Sequence, residues 1–500
     1  MKKVIYIILL SILVLSNISC SKWLTLQPQD GITRQEYWQT KEQIQAAVVG
    51  CYSSLLAPPS GVSDRQTSEY MFMWGETRAD LVTTTLSASS DEQDLANVNI
   101  QTLNSVVKWS AFYRTINYCN TVIKYAPDVL SIDNTLTQTQ LNQWLAEAYG
   151  IRALMYFYLV RSFRDVPLKL TPTASDGDLA MLPKSSSDSV LAQIVSDLSF
   201  AETNAVYTYN NTQYDKGRIT KYTVNAIQAD VALWMSKYDV ASAACDKIIN
   251  SGKFGLVAGV GNSSWFTTLY YNGNSNESIF ELQYDVQALN NFYNMFLAPT
   301  KRYLAAGRMM DTYYTLDPVN DQNKDIRGDG TSIRTADNTI WKYVGVDYTN
   351  ARTAATTYCH WFVYRYAEVL LMKAEAINEQ GNGVQALGLV NQLRTRANAL
   401  VATNFQGDST SVTDVEDFIL AERARELSFE GKRWYDVLRF AKRNNYARLS
   451  ILQNVVAGTA SADRVQSAIS KIKDPNSNYF PIPQGDILTD ANLVQNPFYK

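Results

Sequence analysis

Pairs of amphipathic helical segments constrain the fold of this chain more than any other feature of its sequence. The segment WFVYRYAEVLLMKAEAINEQGNGVQALGLVNQLRTRANAL carries apolar residues at the 3.6-residue spacing of a helix on both sides of a break at 381–383. The first face consists of Val363, Tyr366, Ala367, Leu370, Leu371, Ala374 and Ile377, and the second of Ala386, Leu387, Val390, Leu393 and Ala397. Since small alanines lie where two helices would approach closely, the pattern predicts a helical hairpin.

Further segments repeat this helical pattern. KYTVNAIQADVALWMSKYDVASAACDKIINSGKFGL predicts a second pair with its turn at 237–239, and it resembles a tetratricopeptide unit. A long helix in 141–168 should end near Asp165, because Pro167 disfavours helical geometry in the residue before it. FILAERARELSFEGKRWYDVLRFAKR predicts one more helix, with two pairs spaced for surface ion pairs, Glu430 with Arg433 and Asp436 with Arg439.

The N-terminus is typical of an export signal. Lys2 and Lys3 precede an apolar run at 4–15, which is shorter than the roughly 20 residues of a membrane-spanning helix. Small and polar residues then lead into Cys20, as in a bacterial lipoprotein signal. We therefore predict a signal peptide over 1–19 and a lipid anchor on Cys20. The alternative is ordinary secretion, with Cys20 an incidental residue.

Composition excludes several classes of function. A net charge of -3 with no basic stripe argues against nucleic acid as a partner. The chain has one histidine, His360, and scattered cysteines without zinc-like spacing, so we expect no metal, no cofactor and no thiol catalysis. The cysteines after Cys20 are interpreted as buried free thiols, although disulfides stay open: Cys51, Cys119, Cys245 and Cys359.

Two long, less regular stretches, at about 58–90 and 253–356, are the expected ligand-binding regions, because long loops in compact proteins usually carry function. Aromatic residues make up 12% of the chain and suit a surface that recognises sugars or peptides. The candidate ligand-binding residues are Trp74, Arg78, Asp80, Trp265, Tyr284, Tyr293 and Trp341. The alternative for each aromatic ring is packing in the core, and for Arg78 with Asp80 an internal ion pair.

Five segments in a fixed order carry a resemblance to a known family. They are WLTLQPQDGITRQEYWQTKEQIQAAVVGCYSSL, RALMYFYLVRSFRDVPL, YRYAEVLLMKAEAINEQG, ERARELSFEGKRWYDVLRF and YFPIPQGDILTDANLVQNPFY. Together they resemble the SusD/RagB family, the surface lipoproteins of Bacteroidetes nutrient-uptake systems. Lys432 stands where that family more often has histidine.

The resemblance implies a mostly α, SusD-like fold in a single domain over 20–500. Four tetratricopeptide-like helical pairs would form a scaffold, mainly at about 100–250 and 360–445, beside an irregular, loop-rich ligand-binding half. It also implies a SusC-like TonB-dependent transporter as partner and a lipid-anchored position on the outer face of the outer membrane. The motif residues are then interpreted as scaffold, namely Arg365, Glu368, Glu375, Arg425, Glu426 and Trp434.

Three functions follow as alternatives. The first is non-catalytic capture of an oligosaccharide or polysaccharide for delivery to the transporter. The second is capture of peptides, as in a RagB-type lipoprotein; coplanar aromatic rings spaced about one sugar apart would favour the glycan. The third is a glycoside hydrolase, which requires two carboxyl groups about 5 to 9.5 Å apart. No acidic pair stands out in the aromatic-rich segments and no GxSxG or HExxH motif occurs, so we assign no catalytic residue.

Overall fold

The computed structural model describes residues 37–173, 178–320 and 322–500. The predicted signal peptide and Cys20 lie outside the described residues. In the first half of the chain the α-helices are α1 Lys41–Leu56, α2 Thr67–Glu76, α3 Ser90–Ala96, α4 Ser110–Val129, α5 Gln138–Phe163, α6 Ser187–Asn204, α7 Thr212–Gly217, α8 Lys221–Trp234 and α9 Tyr238–Ile249.

In the second half the α-helices are α10 Met309–Thr312, α11 Tyr366–Glu379, α12 Gly383–Ala397, α13 Val412–Glu426, α14 Arg433–Tyr446, α15 Ser450–Ala457, α16 Val465–Ile472 and α17 Gln484–Thr489. The strands are short: β1 Val82–Thr84, β2 Val166–Pro167, β3 Lys184–Ser185, β4 Ser278–Leu282, β5 Tyr303–Ala305, β6 Ile333–Arg334, β7 Thr339–Ile340 and β8 Trp361–Arg365. They form two-stranded antiparallel sheets, β1 with β5, β2 with β3, β4 with β8 and β6 with β7. The prediction of a mostly α fold is confirmed.

The helices pack in succession. Helix α4 packs on α5, α5 on α6, α6 on α8, α8 on α9, and α9 on α11, which also contacts α12 and α13. This order is consistent with tetratricopeptide-like pairs. Helix α5 contacts both α4 and α6 and is buried along nearly its whole C-terminal length. It ends at Phe163, followed by Arg164 at a φ of 68° and by β2, as the Asp-Val-Pro segment predicts.

The predicted hairpin is present as α11 and α12, but the segment before it is a strand. Residues 361–365 form β8, which pairs with β4 with Trp361 opposite Leu282. Val363 therefore belongs to a strand and not to a helix face, and His360 lies directly before that strand. The prediction failed here because a short, continuously apolar run is compatible with either structure.

The helix predicted over 418–443 is two helices. Helices α13 and α14 are separated by 427–432, where Gly431 has a φ of 72°, a conformation that favours glycine. Glu430 lies in this connection and binds Arg365 instead of Arg433. Asp436 and Arg439 do pair, at 2.9 Å, but both side chains are buried and not on the surface.

Three further expectations can be compared with the structure. The stretch at 58–90 is not wholly irregular, because it contains α2, all of whose residues are buried. The interpretation of the cysteines is confirmed, since all four are free and buried. Among the described helices, none is long and apolar enough to cross a membrane. The motif residues interpreted as scaffold are likewise buried.

Candidate functional site

Trp74, the first residue predicted to bind a ligand, lies in the core. Its ring stacks on Phe112 with centroids 4.6 Å apart, and its indole N–H donates to the Val106 carbonyl at 2.9 Å. No part of its surface is exposed. A ring without an exposed face cannot cover a sugar, so the predicted platform at Trp74 is wrong.

Arg78 and Asp80 are also buried, and they do not pair with each other. The Arg78 guanidinium lies 4.1 Å from the Trp434 ring centroid and 4.0 Å from that of Phe480. Burial lowers the pKa of Arg78 to about 10. Asp80 binds Arg433 at 2.8 Å. Burial acts to raise the pKa of Asp80, but the adjacent arginines outweigh it and hold that pKa at about 2. Both side chains therefore lie in the interior instead of facing a ligand.

Of the four aromatic residues predicted to bind a ligand in the second irregular stretch, three are buried and one is partly exposed. Trp265, Tyr284 and Trp341 are buried. Tyr284 shares a hydrogen bond with Ser68 at 2.6 Å, which ties it to α2. These three rings are core residues, for the same reason as Trp74. Tyr293 alone is partly exposed, and its role in ligand binding stays a prediction.

A different concavity combines aromatic rings with polar groups. This site, which we call the Tyr207 pocket, has a volume of about 530 Å³ and lies between the connection from α6 to α8 and the loops at 253–254 and 274–276. Its rings are those of Tyr207, Tyr222 and Phe254. Its polar side chains are those of Thr208, Asn210, Thr212, Asp215, Lys216, Thr220, Lys253, Asn274, Ser275 and Asn276.

The rings of the pocket stand edge to face. Tyr207 and Tyr222 have centroids 5.6 Å apart at 53°, and Tyr222 and Phe254 have centroids 5.2 Å apart at 79°. Tyr207 is 60% exposed, so it has the most accessible of the three rings. Because the rings are not coplanar, their geometry does not discriminate between a glycan and a peptide.

Local hydrogen bonds hold the loop that carries Tyr207. The Asp215 carboxylate accepts the Thr208 hydroxyl at 2.7 Å and the Tyr209 backbone N–H at 2.5 Å. Asn211 caps α7 by accepting the Tyr214 backbone N–H at 3.0 Å. The loop therefore folds back on the start of α7, and Tyr207 projects beside the pocket.

Lys216 supplies a buried positive charge to the pocket. Its Nζ donates to the Ser278 carbonyl at 2.6 Å and lies 4.3 Å from the Phe254 ring centroid. Burial lowers the pKa of Lys216 to about 8, against the opposing effect of Glu281 and Asp215. Above the Tyr207 ring, Lys221 places its Nζ 4.8 Å from the centroid.

A second concavity is less suited to a polar ligand. It measures about 400 Å³, lies among α6, α8 and α9, and is lined mainly by Val, Leu and Ala side chains. No aromatic ring occurs among its described lining residues. Nor does the described part of the chain contain a cluster of His, Cys, Asp and Glu able to hold a metal ion.

The sequence predicted part of the Tyr207 pocket. Lys253, Phe254 and the residues at 274–276 belong to the predicted ligand-binding region 253–356, whereas Tyr207 and Tyr222 belong to the stretch interpreted as scaffold. The available signal was the run YTYNNTQYDKG between two helices, which concentrates Tyr, Asn and Thr in one connection.

The fold and the pocket together define a class of protein: a mostly helical scaffold that carries a loop-built pocket. The SusD family model matches residues 206–499, and a second model, described as starch-binding associating with outer membrane, matches residues 30–233. This chain belongs to the SusD family.

Individual relatives agree with this assignment. SusD-like protein P38 of Formosa agariphila is 28% identical over 87% of this chain and 91% of its own length. The starch-binding protein SusD of Bacteroides thetaiotaomicron is 33% identical, over 28% of this chain and 21% of its own. A crystal structure of a SusD superfamily protein from Bacteroides vulgatus superposes with a TM-score of 0.73 at 22% identity, covering 92% of this chain and all of that one. The structural likeness supports the fold.

Proposed function

We propose that this protein is a non-catalytic lipoprotein that binds an oligosaccharide or polysaccharide and delivers it to a SusC-like TonB-dependent transporter. The observation that carries the proposal is the exposed ring of Tyr207 beside a pocket of Asn, Thr and Lys side chains. An aromatic face covers the apolar C–H face of a sugar, while the amides and hydroxyls bind its hydroxyl groups. Similarity to starch-binding relatives supports a glycan over a peptide.

The charges of the pocket support binding without catalysis. Asp215 is the one carboxylate among the described residues that line it, and both its oxygens already accept hydrogen bonds from Thr208 and Tyr209. Glycoside hydrolysis uses two carboxyl groups on either side of the scissile bond. Release of reducing ends from a glycan that binds would refute the non-catalytic assignment.

Calorimetric titration of the purified protein with a panel of soluble glycans and peptides tests the proposal. Covering a sugar face of about 80 Å² is worth roughly 2 kcal/mol, so we expect Tyr207→Ala to weaken glycan binding by about tenfold or more. The matched control is Tyr348→Ala, which removes an exposed tyrosine far along the chain in the turn at 346–350. Heat of binding with peptides alone would favour the peptide-binding alternative. Loss of glycan binding in Tyr348→Ala but not in Tyr207→Ala would show that the glycan does not bind at the Tyr207 pocket.

The membrane attachment is part of the same proposal. Cys20 would be acylated after removal of residues 1–19, and the mature protein would remain on the outer face of the outer membrane. The description of the second matching family model, which names the outer membrane, supports this location. Each acyl methylene buried in the bilayer contributes about 0.8 kcal/mol to anchoring, so the lipid would hold the protein on the membrane. A protein held there could pass its ligand to a transporter in the same membrane.

A further inference from the structure

The Tyr207 pocket carries an excess of positive charge. Lys216 and Lys253 line it and Lys221 lies over the Tyr207 ring, whereas Asp215 is the one acidic lining residue in the described part of the chain. None of these three lysines has a carboxylate within 4.0 Å among the described residues. Most buried or half-buried cations among the described residues have such a partner, as Arg218 has in Glu147 at 2.7 Å.

Lys216 is the informative member of this group, because it is 8% exposed and still lacks an ion pair. An ammonium group has three N–H donors, and the Ser278 carbonyl uses one of them. A buried cation without a counter-charge is costly unless a partner arrives. A ligand that brings an anionic group would supply that partner.

Asp215 and Glu281 are the carboxylates whose charges act on Lys216, and both make hydrogen bonds to other groups. Asp215 holds the Tyr207 loop through Thr208 and Tyr209. Glu281 accepts the Asn274 backbone N–H at 2.9 Å and contacts His360 Nδ1 at 2.7 Å. Neither carboxylate is free to turn towards Lys216 without breaking the loops that form the pocket.

We propose that the Tyr207 pocket takes a sugar unit that carries an anionic group, a uronate carboxylate or a sulfate ester, paired with the Lys216 ammonium and stacked on Tyr207. The inference rests on the proposed function and specifies its ligand class. Lys253, which is exposed, and Lys221, which is partly exposed, add attraction that depends on salt concentration.

Matched pairs of oligosaccharides that differ in charge alone test this inference. Tetra- to hexagalacturonate is compared by calorimetry with its methyl ester, and a sulfated galactan oligosaccharide with its desulfated form. We expect at least one charged form to bind about tenfold or more tightly than its neutral counterpart, and to weaken severalfold between 50 and 500 mM NaCl. The pair that shows the difference distinguishes a carboxylate from a sulfate.

Variants assign the effect to Lys216. Lys216→Met keeps the apolar stem against Phe254 and removes the charge, so we expect it to abolish the preference for the charged form. Lys124→Met, at an exposed position on α4, is the control and should leave the preference unchanged. The comparison of charged and neutral ligands on the unaltered protein needs no variant, so it tests the inference even if Lys216→Met folds poorly.

The outcomes separate the inference from the proposed function. Equal binding of charged and neutral forms, with binding still weakened by Tyr207→Ala, would overturn the charge preference and leave glycan binding intact. Binding to no glycan in either panel would overturn both.

Discussion

Glu76 at the end of α2 accepts the backbone N–H of Gly431 at 2.8 Å, although the two residues are 355 positions apart. The same oxygen, Oε1, accepts the backbone N–H of Lys432 at 3.1 Å, while Oε2 is buried without a partner among the described residues. This contact joins the first irregular stretch to the connection between α13 and α14. Burial raises the pKa of Glu76 to about 8, against the opposing effect of these N–H groups and Arg433.

The raised pKa predicts a pH dependence of stability. In the unfolded chain Glu76 ionises near 4.5, so its contribution is complete below that pH and is lost as the pH rises through 8. Glu76→Gln retains the acceptor and cannot ionise, so it should match the wild type at pH 5 and exceed it by a few kcal/mol at pH 9, at about 1.4 kcal/mol per pKa unit. Urea unfolding at both pH values measures this, with the exposed Glu42→Gln as control. A difference in the free energy of unfolding between wild type and Glu76→Gln that is the same at both pH values would contradict this prediction.

Gly431 is also predicted to be intolerant of any side chain. Its φ is 72°, and an added Cβ would lie 2.6 Å from the carbonyl oxygen of Met71. A Cβ on the facing Gly75 would lie 1.9 Å from the Gly431 oxygen. Because two backbones meet here, we expect Gly431→Ala to lower the free energy of unfolding by about 3 kcal/mol or more, or to prevent folding.

Gly388 provides the matched control for Gly431. It lies in the interior of α12 and is exposed, and a Cβ added there would have none of the described residues' atoms within 4 Å outside its own helix backbone. Gly388→Ala should therefore stabilise the protein by about 0.5–1 kcal/mol. Thermal unfolding of both variants is the measurement, and a tolerated Gly431→Ala would refute the close contact.

Replacement of Arg365 should lower the stability of the protein, and by less in acid than at neutral pH. Its guanidinium binds Glu277 at 2.7 Å, Glu426 at 2.6 Å and Glu430 at 2.9 Å, and all four side chains are buried. Burial acts to raise the pKa of Glu430, but Arg365 and Lys342 outweigh it and hold the pKa below its usual value. Arg365→Met should lower the free energy of unfolding at pH 7 by about 3–5 kcal/mol, because it removes one partner of a buried ion pair.

The pH dependence of that loss follows from the same pKa. A carboxyl group with a lowered pKa stabilises the fold above pH 4.5, and this contribution is lost as the pH falls through its folded-state pKa. The difference in the free energy of unfolding between wild type and Arg365→Met should therefore narrow as the pH falls below 4.5, which denaturant unfolding at pH 5 and at lower pH measures. The exposed pair of Arg464 with Asp463, at 3.3 Å, is the control, and Arg464→Met should cost less than about 0.5 kcal/mol.

The proposed lipid anchor makes a prediction in cells. Cys20→Ala should abolish palmitate labelling and move the protein to the soluble fraction, whereas the wild type should co-purify from mild detergent with a large β-barrel transporter. Fractionation and labelling measure the first effect, and mass spectrometry of the purified complex measures the second. Membrane retention of Cys20→Ala in the absence of the transporter would refute the anchor, and a wild type that purifies alone would count against the partner.

The sequence determined the helical scaffold because amphipathic periodicity is a local property. The faces of α11 and α12 and the end of α5 near Pro167 each follow from residues within a few turns of one another. The sequence did not reveal that α13 and α14 are separate helices. The sharp connection at Gly431 packs against Gly75, which lies 356 positions earlier in the chain, and no local pattern shows such a contact.

Tertiary structure alone decided which aromatic residues face solvent. Trp74 and Tyr207 are both aromatic residues near polar neighbours, yet Trp74 stacks on Phe112 from another helix and Tyr207 is left exposed beside the pocket. Exposure depends on which distant elements cover a side chain, and no local pattern encodes that. For the same reason the sequence located only the part of the Tyr207 pocket in the loops at 253–254 and 274–276. The larger part became apparent when the fold brought the connection between α6 and α8 against those loops.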